Sequence, residues 1–107
     1  MTVRSPPITV SLPHQLGRAE ARRRIESGFE NIVHAVPGGS VGHCTQRWDG
    51  DRLSFSLAAM GQAVSGVIDV RDADVLMELQ LPGVLGLLAN GIKRQLATVG
   101  QLLLTRK

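Results

Sequence analysis

Residues 41–81 read VGHCTQRWDGDRLSFSLAAMGQAVSGVIDVRDADVLMELQL. Apolar and polar residues alternate along most of this stretch, which is the period of a strand with one buried face. Cys44, Gln46 and Trp48 alternate with His43, Thr45 and Arg47, and Leu53, Phe55 and Leu57 with Ser54 and Ser56. Val64, Gly66, Ile68 and Val70 repeat the pattern, as do Val75, Met77, Leu79 and Leu81. Asp49, Gly50 and Asp51 form a tight reversal, since Asp and Gly tolerate positive φ. Gly61 marks a bulge or turn, and Arg71 to Asp74 the next turn. No helix fits between these runs, so four strands follow one another as an antiparallel meander.

On the N-terminal side, Ile8, Val10 and Leu12 alternate with Thr9 and Ser11 between Pro6, Pro7 and Pro13. Proline lacks a ladder donor, which places this strand at or near a sheet edge. A helix is then predicted from Gly17, its buried stripe formed by Ala21, Ile25, Phe29, Ile32, Val33 and Val36. Glu20 is expected to reach back to the free backbone donors of the first turn. Pro37, Gly38 and Gly39 end this helix.

On the C-terminal side, Leu85, Leu88, Ile92, Leu96, Val99 and Leu103 recur at helical spacing, predicting one helix from Val84 to about Leu104. Its first turns are apolar almost all round, and Gly86 and Gly91 each cost about 1 kcal/mol of propensity relative to Ala. Something other than propensity must hold the segment, and its broad apolar surface needs cover from the sheet, a partner or a ligand. The contact residues expected are Val84, Leu85, Leu87, Leu88 and Ile92, with Trp48 as a further candidate whose bland reading is cross-strand packing. The element order is β-α-β-β-β-β-α. The fold class is α+β: a curved antiparallel sheet of about five strands on two helices, a reduced helix-grip-like arrangement.

The 107 residues make one domain, with its structured core over 8–104. With 43% hydrophobic and 20% charged residues the composition is globular, and the single Cys44 excludes an internal disulfide. No secretory signal opens the chain and no apolar run is long enough for a membrane span, which leaves the cytoplasm as the expected location. A net charge of +3 is mild, and Glu20–Arg24 and Arg22–Glu26 are spaced to pair on a helix surface. Only 3% aromatic residues leave little to stack on bases, so nucleic-acid binding ranks as a weak alternative.

Catalytic signatures are missing. No Lys follows Gly38, Gly39 and Gly42 to make a phosphate loop, and no nucleophile elbow surrounds Ser40, Ser54, Ser56 or Ser65. His14, His34, His43 and Cys44 lack metal-ligand spacing and read as loop or solvent-facing histidines and a small buried hydrophobe. Asp49, Asp51, Asp69, Asp72 and Asp74 fall mostly in predicted turns, where the carboxylate bonds nearby backbone. Neither a catalytic residue, a metal nor a cofactor is expected.

A string of patches spanning Ile8 to Leu104 resembles the polyhydroxyalkanoic acid system proteins, small bacterial proteins associated with polyester granules. His14, Leu16 and Gly17 open the first helix, with Glu20, Ala21, Arg22 and Ile25 within it; Trp48, Gly50, Asp51, Leu53 and Phe55 form the hairpin. Gly66, Ile68, Val70, Leu81 and Pro82 complete the order. The resemblance implies a role at or near polyhydroxyalkanoate granules, and the missing catalytic signatures make a non-enzymatic one the expectation. Genetic neighbourhood names the family, so it transfers no catalytic residue. The implied partner is a granule or a granule protein, met by the apolar helix much as amphipathic helices lie on lipid. Two other readings stay open: carriage of a small apolar ligand between sheet and C-terminal helix, and a homodimer formed through an edge strand or the helix's surplus apolar face.

Overall fold

The hairpins come out where the turn residues place them. The computed structural model describes residues 7–36, 38–39, 44–59, 61–81 and 83–105. Its elements are β1 (Ile8–Pro13), α1 (Arg18–His34), β2 (Cys44–Asp49), β3 (Arg52–Ala59), β4 (Gln62–Val70), β5 (Asp74–Gln80), a 3-10 segment (Gly83–Leu88) and α2 (Ala89–Thr105). Asp49 pairs with Arg52, leaving a two-residue loop in which Gly50 takes φ 62°. Left-handed backbone of this kind suits the twist of a tight hairpin. The β4–β5 turn is closed by the Arg71 N–H donating to the Asp74 carbonyl at 2.9 Å and by the Arg71 Nε–Asp74 Oδ1 pair at 2.6 Å.

All five strands form one antiparallel sheet in the order β1-β5-β4-β3-β2. The first strand is therefore an edge, as its prolines require, and it lies beside the last strand. Leu53, Phe55, Leu57 and Ala59 of β3, Val64, Ile68 and Val70 of β4, and Val75, Met77 and Leu79 of β5 are all buried, so one face of the sheet carries the core. The other face is polar: Thr45, Ser56, Ser65 and Gln80 stand opposite one another across four strands.

Both helices cover the apolar face. The predicted stripe is buried from Ala21 to Val36, although α1 itself ends at His34 and Val36 follows it, and Phe29 meets Phe55 edge-on at 5.2 Å between ring centroids. In α2 the buried set is Ile92, Leu96, Gly100 and Leu104, shifted by one position from the expected Val99 and Leu103. Gly100 is the cause. A Cβ there would collide with Leu12 of β1, so the bare backbone lets α2 lie flush on the sheet edge and turns the following residues accordingly. Gly28 does the same between the helices, facing Leu103.

Two expectations are corrected. The segment before Ala89 is a 3-10 helix rather than the first turns of one long α-helix. Its glycines weaken the ordinary helix, and Leu85, fully buried, anchors the tighter winding in the core. Glu20 does not cap the backbone: at the α1 N-terminus Gly17 has φ 79° and no side-chain cap, while the Glu20 carboxylate is taken by Arg23 and Arg24 at 2.6 and 2.9 Å. Charged donors outcompete neutral backbone N–H groups for a carboxylate.

Candidate functional site: an apolar groove between the helices

The described chain exposes three large hydrophobic side chains, Leu87 (85%), Leu88 (41%) and Leu102 (59%). All three line two adjoining open grooves on the helical layer. One, of about 430 Å³, is walled by Leu87, Leu88, Gly91 and Ile92; the other, of about 270 Å³, by Asn31, His34, Val99, Leu102 and Leu103. Ala35 and Gln95 border both. The C-terminal end of α1 thus forms one wall and a single face of α2 the other. Leu88, Gly91, Gln95, Val99 and Leu102 follow at steps of three and four, which keeps them on that face over about 20 Å of helix.

The six expected contact residues divide. Leu87 and Leu88 face the groove. Leu85 is completely buried and Ile92 is 2% exposed, so both are core side chains, with Ile92 closing the groove floor. The Val84 side chain lies outside the described residues. Trp48 is elsewhere: half-buried on β2, it lies under the Arg22 guanidinium at 4.5 Å from the ring centroid. Arg22 precedes Ala35 by about 20 Å of helix axis, so Trp48 does not join the groove. Leu102 and the α1 wall are the members that sequence reading missed.

Arg18 pairs with Asp51 and Asp72, Arg22 with Glu26, Arg23 and Arg24 with Glu20, Arg52 with Asp69 and Arg71 with Asp74. Six of the cations are therefore matched, and Asp51, Asp72 and Asp74 pair with arginines instead of the nearby backbone expected of them. Hydrogen bonds from Arg23 and Arg24 hold the Glu20 carboxyl down at about 2. Arg71 likewise lowers Asp74, and burial pushes the half-buried Cys44 thiol up. Among the described residues no three His, Cys, Asp or Glu side chains gather as metal ligands.

The histidines also separate. His14, expected as a loop or solvent-facing histidine, lies in the β1–α1 loop but is only 8% exposed, with both ring nitrogens engaged. Its Nε2 donates to the Arg71 carbonyl at 2.9 Å and its Nδ1 accepts the Leu16 N–H at 3.2 Å. It pins the β1–α1 connection to the β4–β5 turn. His34 is exposed in the groove wall, while His43 lies outside the described residues.

Fold and groove together define a small open-sheet α+β module whose exposed large leucines lie along a surface lined by no Asp, Glu, Lys or Arg. The chain belongs to the putative polyhydroxyalkanoic acid system protein family, whose model matches residues 8–103. No curated protein and no solved structure matches it. No helix of the described chain is long and apolar enough to cross a membrane.

Proposed function

We propose that this protein is a non-enzymatic docking module of the polyhydroxyalkanoate system, acting in the cytoplasm and seating its α1–α2 groove on the apolar granule surface. The observation that carries this reading is the placing of Leu87, Leu88 and Leu102 on two adjoining grooves whose lining holds no Asp, Glu, Lys or Arg. Scattered leucines are ordinary; collected ones mark a contact surface. The family supports the polyester system as the setting. Carriage of a ligand between sheet and helix has less support, because Gly100 brings α2 against Leu12 and Met77 and fills that interface. Nucleic-acid binding has less still, since most arginines are ion-paired.

The test is co-sedimentation of the purified protein with isolated granules, comparing wild type with Leu87→Asp and Leu102→Asp. Both side chains are exposed, so the variants are expected to fold, and thermal melts check that each is fully folded at the assay temperature. Withdrawing one leucine from an apolar contact removes about 1.5–3 kcal/mol, so each variant should bind at least about tenfold more weakly. Undiminished sedimentation of folded variants refutes the groove as the docking surface.

A further inference from the structure

We infer that a second copy of this chain pairs with the outer edge of β2, joining the two sheets about a two-fold axis at Gln46. The two edges of the sheet differ. At β1, Pro13 has no N–H to give, its carbonyl is taken by Gln101 of α2 at 3.2 Å, and Gly100 brings that helix against Leu12. At β2, Cys44–Asp49 forms an unbroken ladder with β3, and no other described strand pairs with it. This strand contains no proline, glycine or lysine, the residues that commonly guard an exposed edge.

The hairpin fixes which backbone groups face outward. Asp49 and Arg52 flank a two-residue loop and so exchange both their hydrogen bonds. Back along the ladder, Arg47 and Thr45 also turn their N–H and C=O groups to β3, while those of Cys44, Gln46 and Trp48 turn away from it. An alternating row of donors and acceptors is matched in full by another extended chain.

The residues of β2 select its own kind. In an antiparallel pair centred on Gln46, Cys44 of each copy lies opposite Trp48 of the other and Gln46 opposite Gln46, and each of these pairs exchanges two backbone hydrogen bonds. The side chains agree. Cys44 and Trp48 are the half-buried members of β2, and sulfur against an aromatic ring is a favourable contact. A primary amide both donates and accepts, so Gln46 complements itself, and on the polar face Arg47 meets the Thr45 hydroxyl. Sliding by two residues one way sets Arg47 against Arg47, and the other way carries Trp48 past the end of the opposing strand. A one-residue slip leaves no outward group facing another. Cys44, Gln46 and Trp48 all project to the helix side, across from Leu57, Phe55 and Leu53. The pairing therefore sets both helical layers, with their exposed leucines, on one side of the joined sheet.

The test is sedimentation velocity of the full chain over a range of concentrations, which should show a species of twice the monomer mass. Gln46→Pro removes an N–H that β3 does not use, so the hairpin keeps its ladder while two intermolecular bonds are lost and dimerisation weakens at least about tenfold. Gln46→Lys keeps the N–H, sets two ammonium groups face to face and weakens dimerisation too. Thermal melts check both folds. In a Cys44→Ser background, Gln46→Cys should oxidise to a disulfide-linked dimer faster than Thr45→Cys, Arg47→Cys or, at the far edge, Thr9→Cys. The reverse ranking overturns the proposal, as does a chain that sediments as a monomer throughout. A dimer indifferent to Gln46→Pro and Gln46→Lys but lost in Leu102→Asp places the contact at the groove and overturns it as well. Leu87→Asp, which tests docking, leaves this dimer intact, so the two readings fail separately.

Discussion

Leu85 and Leu87 are two residues apart in the same apolar run, yet the structure gives them opposite fates, and replacing each by Ala measures the difference. Leu85 is 0% exposed, so its truncation loses the full transfer free energy and leaves a cavity, together about 2–5 kcal/mol. Leu87 is 85% exposed, which leaves about 15% of the side chain covered. Applied to the ~1.5–3 kcal/mol of a fully buried leucine, that fraction is about 0.2–0.5 kcal/mol. In a domain of this size each kcal/mol moves the melting temperature by about 4–8 °C. Leu85→Ala should therefore lower it by at least about 8 °C, and Leu87→Ala by no more than about 4 °C. Calorimetry supplies the temperatures, and urea unfolding the free energies. Comparable losses at the two positions would refute the reasoning, because the 3-10 segment would then present a different side to the core. The groove would lose its most exposed leucine at the same stroke.

Two further perturbations address the polar contacts. His14→Ala leaves the Arg71 carbonyl and the Leu16 N–H without their partner, and urea unfolding should register a loss of about 1–3 kcal/mol. NMR titration should place the Glu20 carboxyl near 2, below its ordinary 4.5. A depressed native-state pKa adds stability above the unfolded value and loses it as the pH falls through the folded one. The Glu20 contribution should accordingly fade from about pH 4.5 down to about 2, with a shallower acid limb in Glu20→Gln; identical limbs would count against the Arg23–Glu20–Arg24 cluster.

The meander was legible because alternation carries its own phase: once Leu53, Phe55 and Leu57 face the core, Ser54 and Ser56 cannot. The α1 stripe was legible for the same reason at a different period. Strand order was not, since the pattern of Ile8 to Leu12 says that one face is buried and is silent on whether the neighbour is β2 or β5. The run at Val84 to Ala89 failed differently. A segment apolar in nearly every position has no phase, so nothing in it distinguishes the core leucine at 85 from the solvent-facing one at 87. The α1 wall of the groove depends on how two helices meet, set by Gly28 against Leu103, a contact joining residues far apart in the chain. Leu102 had a signal, standing seven residues beyond Gln95 and fourteen beyond Leu88, but it becomes meaningful only once Gly100 fixes the rotation of α2.

With both helices on one side of the sheet, the hydroxyl rows of Thr45, Ser56 and Ser65 look the opposite way from the leucines. If the proposed docking holds, such a molecule would behave as a surfactant in miniature. At a boundary between oil-like matter and water it has a single favourable orientation, and neighbours that adopt it together would turn a wettable skin outward. Droplets wearing that skin would resist coalescence.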